Sequence, residues 1–250
     1  MALYVIGILT WNREKQLPLV LEYVYKTARE IRKLGYTAKT IIVDNKSEDK
    51  TREIIVDFTL SHPELLGEIY FERCKIPEAR NKILFRSRKL GAKRLLFVDD
   101  DVLVNPVLPR VAEEYFREDP ELAIILSTTY THYGLEPILP EQLVVKKGVL
   151  PEIQYIVSSW MGSTILALDR IPSDIWFDNT KVVLEDIDFM QRVVQRGLKI
   201  ARLNYIKSVH WKISREDTSY DRTVKLWDYK LTIRPAPHDV GRSLVEVKKN

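Results

Sequence analysis

Short apolar runs rich in β-branched residues alternate with longer amphipathic stretches through the first half of the chain. This is the pattern of strands joined by helical crossovers onto a mostly parallel sheet, an α/β fold. Strands are expected at Tyr4 to Leu9, Thr40 to Val43, Glu68 to Phe71, Arg94 to Val98 and Ala123 to Leu126. Each is nearly continuously apolar, as a strand covered on both faces must be. Between them, Leu17 to Leu34 sets Val20, Val24, Thr27, Ile31 and Leu34 on one helical face and stops at Gly35. Pro77 to Leu90 opens with proline in its first turn and stops at Gly91.

Beyond Leu126 the period changes. Ser127 to Pro151 holds three prolines, two glycines and no convincing helix, which predicts a long loop or insertion. A strand-like pair follows at Tyr155 to Ser158 and Ser163 to Leu168, then a helix from Glu185 to Gln195 ended by Gly197. Two more strands are expected near Lys199 to Leu203 and Val209 to Ile213, so the second half reads as mixed. Tyr220, Val224, Trp227 and Leu231 fall on one helical face, predicting a last helix before the prolines of RPAPHD.

Composition adds an asymmetry. The 250 residues are 45% hydrophobic and 30% charged, enough to bury a full core and incompatible with disorder. The net charge of +4 is far from that of a dedicated nucleic-acid binder. Yet Met190 to Asn250 holds 14 basic and 6 acidic residues, net +8, against −4 for the rest. That segment permits peripheral contact with an acidic membrane or attraction of an acidic acceptor. A lone cysteine, Cys74, excludes an intramolecular disulfide, and no signal-like N-terminus is visible, so a cytoplasmic protein is expected. The longest uncharged stretch, Ile153 to Leu168, falls short of the roughly 20 apolar residues that span a bilayer.

Chemistry is concentrated where strands end. RLLFVDDDV delivers Asp99, Asp100 and Asp101 at the carboxyl end of an apolar strand, where open α/β sheets bind ligands. Asp99 and Asp101 are expected on one side of extended backbone, able to share Mg²⁺ or Mn²⁺; the alternative is a cap for the helix starting near Val107. Asp44 and Asn45 close the second strand and suit a ribose or base edge, while Ser47 and Asp49 suit a helix cap. Thr10, Trp11, Asn12 and Arg13 end the first strand, with Trp11 offering a stacking face. Arg80 and Asn81 sit early in a helix, where a diphosphate or plain solvent is met. Glu185, Asp186 and Asp188 open another helix, complementing its dipole or supplying a general base. His210 reads as structural unless a metal is near. Trp160, Gly162 and Ser163 offer an aromatic wall and close backbone approach for a sugar or acceptor, or else core packing.

Taken in order, TWNR, VDNKSED, ARN, VDDDV and LEDIDF resemble a GT-A-fold glycosyltransferase of the family 2 type, over roughly Leu3 to Ile213. The resemblance implies a catalytic domain over 1–213, its nucleotide-binding half at 1–126 and its acceptor and catalytic half at 127–213, with 214–250 a basic helical extension. It implies a nucleotide-diphosphate sugar donor over Thr10, Trp11, Asn12, Asp44 and Asn45, with Arg80 nearby. Asp99 to Asp101 would be the DxD element, Asp101 the direct ligand of a divalent metal, with Asp99 or Asp100 facing ribose or metal-bound water. Asp186, beside Glu185, would be the base of an inverting transfer, His210 would complete the metal site, and Trp160 to Ser163 would lie between donor and a glycan, lipid or protein acceptor. Asn45 and Lys46 depart from the aspartate and glycine common among relatives. The same residues also suit a metal-dependent nucleotidyltransferase or phosphotransferase, and the basic tail suits a non-enzymatic adaptor.

Overall fold

The computed structural model describes residues 1–143, 152–181 and 183–213, together with the backbone of three strands at 224–226, 229–234 and 244–249. Chain order is β1 (Leu3–Thr10), α1 (Leu17–Lys33), β2 (Thr37–Asp44), α2 (Thr51–Ser61), β3 (Leu66–Phe71), α3 (Ile76–Lys89), β4 (Ala92–Asp99), β5 (Val102–Leu103), α4 (Leu108–Glu118) and β6 (Leu122–Tyr133). Then come β7 (Ile153–Ile156), β8 (Ser163–Ala167), α5 (Glu185–Gln195) and β9 (Lys199–Lys212), followed by β10 (Val224–Leu226), β11 (Tyr229–Arg234) and β12 (Leu244–Lys249).

The main sheet runs β3-β2-β1-β4-β8-β6-β9-β5, with β7 also on β9. β1 to β4 form the parallel part. β8 enters antiparallel between β4 and β6, and β6 and β9 are parallel, so the second half is mixed, as its sequence predicts. Strand alternation divides the core. Tyr4, Ile6 and Ile8 pack on the side of α1 and α4. Val5, Leu95 and Phe97 pack on the side that holds Ile83 of α3 and Phe189, Met190 and Val193 of α5. Each such fully buried aliphatic side chain contributes about 2 kcal/mol. Gly7 lies beneath α3: a Cβ there would run into Ile83 Cγ2, so a side chain would hold off the helix that carries Arg80.

Three expectations are corrected. The stretch after Leu126 does not leave the sheet at once: β6 continues to Tyr133, pairing Thr128 to Tyr133 with Lys207 to Lys212. STTYTHY is β-branched and aromatic, and its polar members sit at the half-exposed end of the strand. The two strands expected near residues 199 and 209 are one, β9, with a register shift where Ser127 pairs Leu203 and Thr128 pairs Lys207; the extra residues form a bulge that keeps both segments in the sheet. The helix expected over Val224 and Leu231 is replaced by antiparallel β10-β11-β12. Val224 and Leu226, then Tyr229, Leu231 and Ile233, also alternate with period two, and the β-branched content favours that period. Tyr220 and Trp227 lie outside the described residues, as do 144–151. No described helix is long and apolar enough to cross a membrane.

Candidate active site

Register alone gathers the strand ends. Thr10 pairs Asp44 between β1 and β2, and Leu9 pairs Asp99 between β1 and β4. β2 and β3 lie on one side of β1 and β4 on the other, so this is the point where the connections change direction, the place where open α/β sheets bind ligands. Val98 pairs Ser163, which brings Trp160 to Gly162 to the same end.

The first two turns are locked to each other. Asn12 has φ of 49° and Lys46 φ of 57°, left-handed conformations that asparagine tolerates and lysine adopts at a cost of about 1 kcal/mol. Asn12 Oδ1 accepts the Glu48 N–H (2.8 Å), and the Asn12 N–H donates to Ser47 Oγ (2.8 Å). Asp44 is buried and accepts from the Ser47 N–H and hydroxyl. Asn45 Oδ1 accepts the Cys74 N–H (2.8 Å). Asp49 accepts the Thr51 N–H (2.9 Å) beside the start of α2. Asp44, Asn45 and Asn12 thus shape the rim, and Trp11 stands 54% exposed beside them. Thr10 is buried, its hydroxyl with no hydrogen-bond partner among the described residues.

The three aspartates take different cation partners. β4 ends at Asp99 and the chain turns at Asp100 and Asp101, so strict strand alternation stops there. Asp99 Oδ1 lies 3.5 Å from Arg80 Nη2. Asp100 accepts from Arg13 Nε and the Trp11 N–H, each 3.1 Å. Asp101 Oδ2 meets Lys212 Nζ at 2.7 Å, His210 Nε2 at 3.2 Å and Arg13 Nη2 at 3.4 Å. Burial pushes Asp100 upward against the pull of Arg13. Asp101 is the more deeply buried, but His210, Lys212 and Arg13 together outweigh that and hold it well below the usual carboxylate range. None of the three caps α4; the Val107 N–H at its start is taken by Asn105 Oδ1 (3.2 Å). Among the described residues no group of three or more His, Cys, Asp and Glu side chains is arranged around one point.

On the opposite wall, Leu184 has φ of 64°, a strained conformation for leucine, and turns the chain so that Glu185 and Asp186 open α5. Both are buried. Arg80 stands between the walls: besides Asp99, it lies 3.0 Å from Glu185 Oε1 and 3.9 Å from Asp186 Oδ2. It therefore faces carboxylates, not only the open crevice expected for a diphosphate ligand. One guanidinium among three carboxylates leaves an excess of negative charge, so burial wins. Glu185 is pushed up to about 7 by burial, against Arg80 and with Asp186 adding to the rise; Asp186 is raised by burial, again against Arg80.

The raised Glu185 sets the sign of a pH effect. Between its unfolded value of 4.5 and about 7, the native state holds the proton that the unfolded chain has lost, so stability falls as pH rises through that window and then levels. Denaturant titrations at pH 5 and 8 are expected to differ by roughly 3 kcal/mol from this group. Glu185→Gln should remove most of that difference.

Trp160 to Gly162 bridges the walls. The Met161 N–H donates to Asp186 Oδ2 (3.2 Å), and the Gly162 carbonyl accepts the Asp99 N–H (3.1 Å). Trp160 is 37% exposed. Ser163, expected to face an acceptor, is instead buried, its hydroxyl accepting from Ser208 (3.1 Å), which also bonds Ser127 (2.7 Å). Asn81 is likewise structural, joining the Phe177 backbone and Asn179. The site residue that sequence reading passed over is Lys212, which shares Asp101 with Arg13. The one signal for Lys212 was its place two residues from His210 in a strand.

These features define an α/β sheet whose carboxyl strand ends are lined by acidic residues. The sequence profile described as Glycosyl transferase family 2 matches residues 5–149, and the chain belongs to that family. No curated protein matches the sequence. Among solved structures, S. aureus TarS 1-349 in complex with UDP-GlcNAc aligns at a TM-score of 0.59 and 17% identity, over 84% of this chain and 58% of that one. S. aureus TarS aligns at 0.57 and 17%, over 88% of this chain and 38% of that one. GalNAc-T7 with UDP, GalNAc and Mn²⁺ aligns at 0.64 and 14%, over 85% and 44%. The fold is GT-A, and this chain spans from 38% to 58% of the length of these neighbours.

Proposed function

We propose that the chain transfers a glycosyl group from a nucleoside-diphosphate sugar to an acceptor hydroxyl, with Asp186 as general base and inversion at the anomeric carbon. The observation that carries this reading is the span from Asp99 through Gly162 and Met161 to Asp186, one backbone segment bonded both to the end of the strand that delivers Asp99 and to the buried base. Relatives solved with UDP-GlcNAc or with UDP, GalNAc and Mn²⁺ support the donor class.

The nucleoside lies over Trp11, whose exposed ring offers a stacking face, with the rim of Asn12, Asp44 and Asn45 fixing the pocket. Trp160 walls the acceptor. Asp186, raised by burial, is a stronger proton acceptor than a solvated aspartate. It takes the acceptor's proton as the hydroxyl oxygen attacks from the face opposite the diphosphate. Arg80 holds Asp186 and Asp99 in one frame. Asp101 and His210 suit a divalent ion: one hard oxygen and one imidazole nitrogen face each other 3.2 Å apart, and two neighbouring ligands of an octahedral ion stand about 3 Å apart. Bound there, such an ion would supply Lewis-acid stabilisation of the departing diphosphate. The basic excess of residues 190–250 would draw an acidic acceptor or membrane surface, which liposome flotation tests.

A panel of nucleotide sugars with Mn²⁺, Mg²⁺ or chelator is expected to give nucleoside-diphosphate release with at least one donor. Pyrophosphate release would mean nucleotidyl transfer, and silence across the panel would remove the assignment. A Cβ at Gly162 would stand 3.2 Å from both Asp99 Oδ2 and Val102 Cγ2. Gly162→Ala is accordingly expected to lower kcat/KM about tenfold while costing roughly 1 kcal/mol of stability, read from steady-state kinetics beside a denaturant titration.

A further inference from the structure

Asp101 already has a cation on the oxygen that a metal would use, and the fold puts it there deliberately. β9 is extended, so His210 and Lys212, two residues apart, project to the same side, while Val209 and Trp211 between and beside them are buried in the core and fix the strand's rotation. The backbone is held on both sides. The Trp211 N–H donates to the Asp101 carbonyl (2.7 Å), Val102 pairs His210, and Tyr133 pairs Lys212. The Trp211 indole N–H donates to the Gly134 carbonyl (2.8 Å), and the Gly134 N–H to the Lys212 carbonyl (3.0 Å). The Lys212 side chain is only 5% exposed, and its ammonium reaches Asp101 Oδ2 at 2.7 Å, nearer than His210 at 3.2 Å.

We infer that Lys212 is a resident cation of the donor site, holding Asp101 and competing with the divalent ion for that carboxylate. The inference rests on the proposed donor site and adds a residue to it. An ammonium and a divalent ion on one carboxylate oxygen repel strongly in a partly desolvated site. The ion therefore binds Asp101 only as Lys212 gives way, and a donor diphosphate supplies the anionic oxygens that receive the displaced ammonium. Metal binding by the donor-free protein is weak for this reason, and Lys212 becomes a positioning group for the diphosphate.

The test is binding of Mn²⁺ alone to the donor-free protein, followed by the paramagnetic signal of free Mn²⁺. Lys212→Met keeps most of the stem and removes the charge; it is expected to bind Mn²⁺ about tenfold or more tightly than the parent, whereas Lys212→Arg stays near the parent. Circular dichroism melts establish that each variant is folded. If Lys212→Met is unstable, Lys212→Gln is read in its place. Equal affinity in the folded neutral variant and the parent overturns the inference. Adding Asp101→Asn separates the two levels: it should abolish the gain. A gain that persists without the Asp101 carboxylate would put the ion elsewhere and overturn both the inference and the assigned metal ligand. No gain at all, with nucleoside-diphosphate release intact, would overturn the inference and leave the proposed transfer standing.

Discussion

Asp186→Asn is expected to lower transfer by about 10³-fold with donor affinity unchanged. Asparagine keeps the oxygen that accepts the Met161 N–H, so the segment bridging the two walls should stay in place, but the amide cannot take a proton. Removing this carboxylate also relieves the repulsion that helps to raise Glu185, so the variant should be no less stable than the parent near neutral pH. Single-turnover transfer and calorimetric titration with nucleoside diphosphate separate the two effects. A variant that transfers at the parent rate would deny Asp186 its role and turn attention to Glu185→Gln.

Asp101→Ala is expected to do the greatest damage to both stability and donor binding. The side chains of Lys212 and Asp101 are 5% and 6% exposed, and removing one partner of a buried pair typically costs about 3–5 kcal/mol because the other charge stays buried. Metal-dependent donor affinity should disappear with it. Asp101→Asn retains the shape and should lose the metal dependence with a smaller stability loss, which denaturant titration and nucleoside-diphosphate binding with and without Mn²⁺ would show. The pH dependence has a definite sign. Because Asp101 is held below its unfolded value, its contribution is fully present above about pH 4 and is lost as the solution is acidified further. Glu185 acts in the opposite direction and over a higher range. The parent is therefore expected to lose stability at both ends, with the acid limb absent from Asp101→Asn.

How much of this was legible in the sequence varies with the range of the interaction. The parallel strands and their helices were visible because a strand buried on both faces is nearly unbroken apolar sequence, and helices that cover it carry an apolar stripe and terminal glycines. β9 was seen as two strands because the bulge at residues 204–206 interrupts its apolar pattern while the backbone pairing continues on either side. The strands at Val224–Leu226 and Tyr229–Arg234 were misread since Val224 and Leu231 belong to the helical spacing as well as to the alternation of period two. At the site, Asp99 to Asp101 and Asp186 stood out as polar residues at the ends of apolar elements and His210 only through the resemblance, whereas Ser163 was grouped with Trp160 and Gly162 as an aromatic wall with close backbone approach and is buried.

By itself, then, the sequence determined the alternation of the main strands and helices as far as Leu126, which strand ends carry acid and which helix opens with it, because those follow from local period and composition. Only the tertiary structure decided that Arg80 would be shared by Asp99, Glu185 and Asp186, and that Lys212, 111 residues away, would close on Asp101. Those pairings are made by strand register and by helix packing across the sheet, and no local pattern encodes which distant charge arrives at a given carboxylate.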